Sequence, residues 1–316
     1  MIKLSLFKPT GHLTLGNHLG ALRPMVAGQA EGRGFYGIAD LHALTVPHEP
    51  ARLRALSAEM ARLMVAVGLD RSTLFVQSRV PAHSELSFLL ESTVHTGELN
   101  RMIQFKEKGR DQPSTRASLY TYPALMAADI LLYRPEQVPV GDDQRQHVEL
   151  TRDLALRFNR LYGEVFTVPE IVTPPSGARV MDLQDPITKM GKSHVDGAGI
   201  IYLLDPPDVV RRKVARAVTD SEVGAASVRA DRDAKPGVTN LLDILTACGG
   251  SADGITTYGA LKAAVTEAVV NELEPIQKRF ADLDDAAVTE VFESGAATCR
   301  QVTAPVLAAA RTAMGL

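Results

Sequence analysis

A parallel α/β sheet followed by a smaller all-helical region is the fold class this sequence predicts, and three observations carry it. Short β-type runs alternate with helical patterns through the first half of the chain, as in strands joined by crossover helices. Those runs are almost continuously apolar, which suits strands covered on both faces. After residue 200 the β signal nearly vanishes and helical spacing remains.

Strands are predicted at residues 3–7, 35–39, 73–77 and 137–140. Between the second and third, Leu53, Leu56, Met60, Leu63 and Val67 fall at helical spacing. A second helix follows Ser84, with Leu86, Leu89, Leu90 and Val94 as its apolar face. A third is expected to begin near Pro123, since proline suits a first turn, and carries Leu125, Met126, Ile130 and Leu131. After Val140 a long helix places Leu150, Leu154, Phe158 and Leu161 on one side. Residues 174–199 shift to Pro, Gly, Lys and Ser, which marks a loop or junction. Helices are then expected from Pro206, Thr239, Gly259 and about Ala286. The division is 1–185, a junction at 186–200, and 201–316, with the last helix able to return to the first part.

Composition narrows the function classes. A chain of 316 residues buries a sizeable core without disulfides or a structural metal. Cys248 and Cys299 stand far apart with no CxxC and no histidine at ligand spacing, so a reducing compartment fits and a zinc site does not. Lys3 and Lys8 leave too few apolar residues between them for a signal segment, and no run is long enough to span a bilayer; the chain reads as cytoplasmic, without a membrane partner. A formal charge of −3 means that a nucleic-acid partner must be met by a local basic surface.

Four constellations carry candidate chemistry. Directly after the first strand comes Lys8-Pro9-Thr10-Gly11-His12-Leu13-Thr14-Leu15-Gly16-Asn17. Small residues there admit a nucleotide close to the backbone, and a following helix aims its N-terminal dipole at phosphate. Thr14 and Asn17, three apart, can point at one ligand; a plain glycine-bearing turn is the alternative. The second is Lys189-Met190-Gly191-Lys192-Ser193. It is no P-loop, because Pro186 stands where that motif needs glycine. Two lysines on a flexible loop can neutralise a departing pyrophosphate, or merely be a solvated basic loop. The third, Gly141-Asp142-Asp143-Gln144, joins a strand end to a helix start, where carboxylates are usually caps and strand ends bind ligands. In the fourth, Asp129 interrupts an apolar helix and needs a donor, whether from an arginine, a backbone cap or a ligand N–H. Tyr122, Met126 and Asp129 fall near helical spacing and can line one wall of a pocket.

In this order and spacing the four pieces resemble the class I aminoacyl-tRNA synthetases, and most of all the bacterial tryptophanyl type. Thr14 to Asn17 (TLGN) resembles that family's HIGH motif and Lys189 to Ser193 (KMGKS) its KMSKS loop. Segments 125–133, 138–159 and 217–222 are similar as well. The resemblance implies a Rossmann-like catalytic domain, a helical domain near the tRNA anticodon, and an obligate homodimer. It implies ATP contacts at Lys8, Pro9, Thr10, Gly16, Asn17, Gly141, Asp142, Asp143, Val180, Lys189, Met190, Gly191, Lys192 and Ser193. Catalysis would fall to Thr14, Asn17, Lys108, Lys189, Lys192 and Ser193, with Lys106 beside Lys108 on a segment reaching the triphosphate. Tryptophan would lie among Leu4, Leu6, His42, Tyr122, Met126, Asp129, Val138, Val140 and Gln144, with Asp129 accepting the indole N–H. Phenylalanine would then leave that acid buried and unpaired.

Mg²⁺ would arrive on the ATP triphosphate, with no dedicated protein metal site, and tRNA(Trp) would be the acceptor. Three residues depart from the pattern: Lys8 for glutamine, Leu6 for glycine and Gly191 for serine. The first two are expected to alter tryptophan affinity or to reject its analogues. Tyrosyl-tRNA synthetase, a nucleotidyltransferase with another acceptor, and a silent paralogue that binds tRNA or protein are the rivals. The basic run Arg211, Arg212, Lys213 and Arg216 suits tRNA phosphates or an ordinary solvated surface equally.

Overall fold

The computed structural model describes residues 2–109, 112–172, 179–191, 197–224 and 226–316, apart from the side chains of Lys108, Asp142 and Asp143. Three parallel strands, β1 (Ile2–Phe7), β2 (Arg33–Ile38) and β3 (Thr73–Val76), pair with β2 in the middle. Leu4 stands opposite Phe35, and Phe35 opposite Thr73. A second parallel pair, β4 (Gln137–Pro139) and β5 (Glu170–Val172), places β4 against β1. The spatial order is therefore β3–β2–β1–β4–β5, and the winding reverses between β1 and β4.

Alternation explains the apolar runs. Tyr36, Ile38 and Leu74 enter one buried cluster, while Phe35 and Phe75, with Leu4 and Leu6 beside them, enter the other. Period two thus sends apolar side chains to both faces of the sheet. β1 departs from the expected coverage, since all six of its residues are only half-buried. It borders the reversal, and β4 lies against it without joining its hydrogen-bonded sheet.

Between β1 and β2, α1 (Leu15–Asn17) runs through a π-turn at His18–Leu22 into α2 (Arg23–Ala27). α3 (Asp40–Ala43) and α4 (Pro50–Ala66) lead to β3, and α4 buries Leu56, Met60 and Leu63 as its spacing requires. A helical insertion follows: α5 (Ala82–Glu91), α6 (Thr96–Leu99), α7 (Ile103–Lys108) and α8 (Ala117–Leu131). α8 starts well before the expected point, so Pro123 lies inside it. Proline marked a start on local grounds, but burial of Leu119, Ala124, Ala127 and Ala128 and packing on α5 carry the helix through it.

α9 (Asp142–Tyr162) buries Leu150, Leu154 and Phe158. Leu161 does not join them; it is 56 % exposed on the last turn. The C-terminal helices are α10 (Pro207–Ala215), α11 (Pro236–Ala247), α12 (Tyr258–Asp282) and α13 (Asp285–Met314). α11 begins with Pro236 in its first turn, ahead of the expected Thr239.

α13 leaves the other C-terminal helices and returns to the sheet. Val288 and Phe292 enter the cluster shared with α4 and α12, whereas Ala296, Cys299, Val306 and Ala310 enter the one beneath α5 and α8. At the crossing, a Cβ on Gly295 would lie 1.8 Å from the Leu74 carbonyl oxygen, so only glycine allows this approach. The helix thereby covers the sheet edge at β3, which would otherwise offer unpaired backbone groups.

Candidate active site

Where an open parallel sheet reverses its winding, the loops beyond the strand C-termini leave a crevice for a ligand. Lys8, Pro9 and Thr10 occupy the turn after β1, with the Thr10 amide donating to the Lys8 carbonyl at 3.0 Å. Gly141 caps α9 just beyond β4. Both segments border the reversal, because sheet topology joins what sequence separates.

The TLGN turn is a capping box. The Asn17 amide donates to Thr14 Oγ1 at 3.2 Å, and Asn17 Oδ1 accepts from the Thr14 amide at 3.1 Å and from its hydroxyl at 3.2 Å. Thr14 is fully buried, so its side chain holds the turn and does not point outward with Asn17 as the spacing suggested. The Asn17 side-chain nitrogen, Nδ2, has no hydrogen-bond partner among the described residues.

Lys189-Met190-Gly191 meets that turn directly. A Cβ on Gly16 would lie 3.4 Å from the Met190 carbonyl oxygen. Met190 is buried among the core residues, and its amide donates to the Val180 carbonyl at 3.0 Å. An antiparallel bridge joins Met181 to Lys189. The first half of KMGKS is thus pinned, where the sequence suggested a flexible loop throughout, and exposed Lys189 projects from a fixed base. Lys192 and Ser193 lie outside the described residues, as do the side chains of Lys108, Asp142 and Asp143.

Asp129 points inward and is 4 % exposed. Gln77 Nε2 donates to Oδ1 at 2.7 Å, His83 Nδ1 lies 2.6 Å from the same oxygen, and His42 Nε2 lies 2.7 Å from Oδ2. Two of these donors come from the ends of neighbouring strands, His42 after β2 and Gln77 after β3, and His83 lies in the first turn of α5. Asp40 ties the two together, since its Oδ1 accepts from the amides of Leu41 at 3.0 Å and Ser78 at 2.9 Å. Burial pushes the Asp129 carboxyl up, but His42 and His83 overcome that and hold it at about 2. The acid is ionised with three donors, neither capping backbone nor paired with arginine. Phenylalanine would therefore not leave it unpaired, which corrects the expectation of a large penalty.

The remaining pocket residues gather around it. Leu4, Met126, Val138 and Val140 pack together with Ile130, Val148 and Ile171. Leu6 is half-buried on the side of the sheet that faces α5 and α8. Tyr122 meets His42 edge-on, ring centroids 6.1 Å apart, and its hydroxyl bonds His147 Nε2. Burial raises the Tyr122 phenol well above its ordinary value. Gln144 stands one turn before His147 on α9, its amide bonded to the Gly141 carbonyl at 3.0 Å. Lys8 Nζ donates to Thr45 Oγ1 at 3.0 Å, and that hydroxyl donates to the His42 carbonyl at 2.8 Å. A cavity of about 540 Å³ lined by Val26, Gln29, Gly68, Asp70 and Arg279 shares no residue with this crevice.

Gln77, His83 and His147 are buried polar residues that sequence reasoning missed. A signal existed for two of them. His83 shares i, i+3, i+7 spacing with Leu86 and Leu90, and His147 with Leu150 and Leu154, so both ride apolar stripes and had to face inward. Gln77 carried no such signal, because it ends a strand run.

Comparison with known proteins bears on this crevice. The family model described as tRNA synthetases class I (W and Y) matches residues 2–278. Tryptophan–tRNA ligase 1 of Streptomyces avermitilis is 53 % identical, over 98 % of this chain and 97 % of that protein. The solved tryptophanyl-tRNA synthetase from Mycoplasma pneumoniae superposes with a TM-score of 0.90 at 36 % identity, covering 100 % of this chain and 97 % of that one. The enzyme from Campylobacter jejuni, solved with ADP and tryptophan, gives 0.86 at 29 % identity, with 100 % of both chains covered.

Proposed function

The chain belongs to the class I tRNA synthetases of the tryptophan and tyrosine type, and within that family we propose how its crevice activates an amino acid. The protein is a tryptophan–tRNA ligase. The tryptophan carboxylate attacks the α-phosphate of ATP in line, pyrophosphate leaves, and the aminoacyl group then passes to a terminal ribose hydroxyl of tRNA(Trp). No protein nucleophile is required, so positioning and charge stabilisation carry the rate.

The buried, ionised Asp129 is the observation that carries the amino-acid half of this reading. Its carboxylate accepts the indole N–H, and the ring lies against Leu4, Leu6, Met126, Val138 and Val140 beside His42. Tyr122 and Gln144 hold the polar end. The nucleotide half rests on Gly16 and Met190 in contact, with Lys8 to Thr10, Asn17, Gly141 and Val180 around them. Thr14 serves by holding Asn17. Lys189, Lys192, Ser193 and Lys108 are the groups assigned to stabilise departing pyrophosphate, and Asp142, Asp143 and Gly191 belong to the nucleotide-binding set.

Mg²⁺ enters on the triphosphate oxygens. We place the enzyme in the cytoplasm as a homodimer; among the described residues no helix is long and apolar enough to cross a membrane. Phe88 on α5 and Leu156 and Leu161 on α9 are exposed and offer apolar surface to a second copy. Residues 1–185 form the catalytic domain, 186–200 the junction and 201–316 the anticodon-binding domain.

Amino-acid-dependent ATP–pyrophosphate exchange tests this. Tryptophan is expected to support exchange, and tyrosine at the same concentration is not. Equal or faster exchange with tyrosine contradicts the reading.

A further inference from the structure

The neighbours of Asp129 divide its two oxygens unequally. Oδ1 takes Gln77 Nε2 at 2.7 Å and His83 Nδ1 at 2.6 Å, while Oδ2 takes only His42 Nε2 at 2.7 Å. A carboxylate offers about two acceptor sites per oxygen, so Oδ1 is filled and Oδ2 keeps one. The two partners of Oδ1 are fully buried, whereas the His42 side chain is 14 % exposed.

Further contacts fix His83 in turn. Tyr133 Oη lies 3.0 Å from His83 Nε2, and Tyr133 also meets the Cys299 thiol from α13. An ionised carboxylate only accepts, so Nδ1 carries a proton and donates. In the neutral imidazole Nε2 then accepts the Tyr133 Oη–H. Phe75 stacks on the His83 ring with centroids 5.7 Å apart and planes 22° from parallel. Gln77 Oε1 is buried and accepts nothing among the described residues, so the bond to Asp129 is that side chain's one polar contact. Leaving a buried carbonyl unpaired is costly. The Gln77 amide is there for Asp129.

We propose that His83, fixed by Tyr133, is a positioning residue for amino-acid recognition. With Gln77 it fills Oδ1 and restricts Asp129 to one ligand-facing acceptor site on Oδ2, beside His42. The inference rests on the reading that Asp129 accepts a substrate N–H. The arrangement leaves Asp129 able to accept one donor from a ligand, approaching from the His42 side.

Two substitutions separate positioning from packing. In His83→Asn the amide nitrogen stands near the place of Nδ1; in His83→Gln it stands near that of Nε2. In exchange assays with each substrate varied, His83→Gln is expected to raise the tryptophan KM about tenfold or more. Its kcat should stay within about threefold and its ATP KM should not move. His83→Asn should keep the tryptophan KM within about threefold of the parent. Equal losses in the two variants, or parallel changes in kcat and both KM values with a lower Tm, overturn the proposal.

Where His83→Gln does not fold, Tyr133→Phe carries the test, because it removes only the donor to Nε2. Its tryptophan KM should rise several-fold, and an unchanged value overturns the inference. A parent protein that prefers tyrosine would sink the substrate reading alone. The same split, measured with the preferred amino acid, would still decide the role of His83.

Discussion

The two ends of the crevice are built on opposite plans. At the Asp129 end, His42, His83 and Gln77 hold one buried carboxylate, and Tyr133 holds His83 in turn. At the Lys189 end the backbone is pinned by its bridge to Met181, and Met190 is anchored in the core, but the Lys189 side chain stands in solvent. On the proposed reading, recognition of the amino acid is preorganised in the folded chain, whereas the exposed Lys189 side chain would become ordered only on meeting the nucleotide. The first end should be sensitive in stability and KM, and the second in kcat.

The largest expected effect breaks the recognition end. Asp129→Ala leaves His83 and Gln77 buried without their acceptor and should cost roughly 3–5 kcal/mol of unfolding free energy. Tryptophan-dependent exchange should disappear with it, and urea unfolding beside the assay reads both. At the phosphate end, Lys189→Ala should lower kcat for exchange by about 10²-fold with Tm and tryptophan KM nearly unchanged. A loss in KM instead would mean that both ends bind the ground state alike.

Acid should expose the same asymmetry. The Asp129 carboxyl sits at about 2 against an ordinary 3.8, so its stabilisation is fully present above about pH 4 and is lost as pH falls towards 2. That contribution is about 2 kcal/mol as an order of magnitude. Urea midpoints for the parent and Asp129→Asn should converge over that window, while Lys189→Ala should track the parent.

The smallest effect concerns Lys8. Through Thr45 it reaches the His42 carbonyl, and so is linked to the Asp129 end from the turn after β1. Lys8→Gln should shift the tryptophan KM by a few-fold, with kcat unmoved. An unchanged KM and unchanged inhibition by tryptophan analogues would detach Lys8 from recognition.

The two ends also differ in how far the sequence revealed them. TLGN and KMGKS were visible as motifs, yet nothing local says that Met190 packs on Gly16, because that contact follows from tertiary packing. Asp129 drew notice as an acid in an apolar helix. Its partners lie 87, 52 and 46 residues away along the chain, beyond the reach of any periodicity. The strands and α9 were legible because their stripes are long or uniformly apolar. β5, three residues long, gave no pattern, and Pro123 misdirected the start of α8 because packing outweighed local preference. The return of α13 to the sheet hangs on Gly295, whose meaning depends on a carbonyl more than two hundred residues earlier in the chain.

One comparison tests the central claim most directly. Exchange should be measured with tryptophan and with its isostere in which sulfur replaces the indole N–H, in the parent and in Asp129→Asn. Because Asp129 already has three donors, the N–H adds one charge-assisted hydrogen bond, worth about 1.5–3 kcal/mol or roughly a 10- to 150-fold preference in kcat/KM. That preference should collapse towards unity in Asp129→Asn. Equal use of both amino acids by the parent would contradict recognition through this carboxylate.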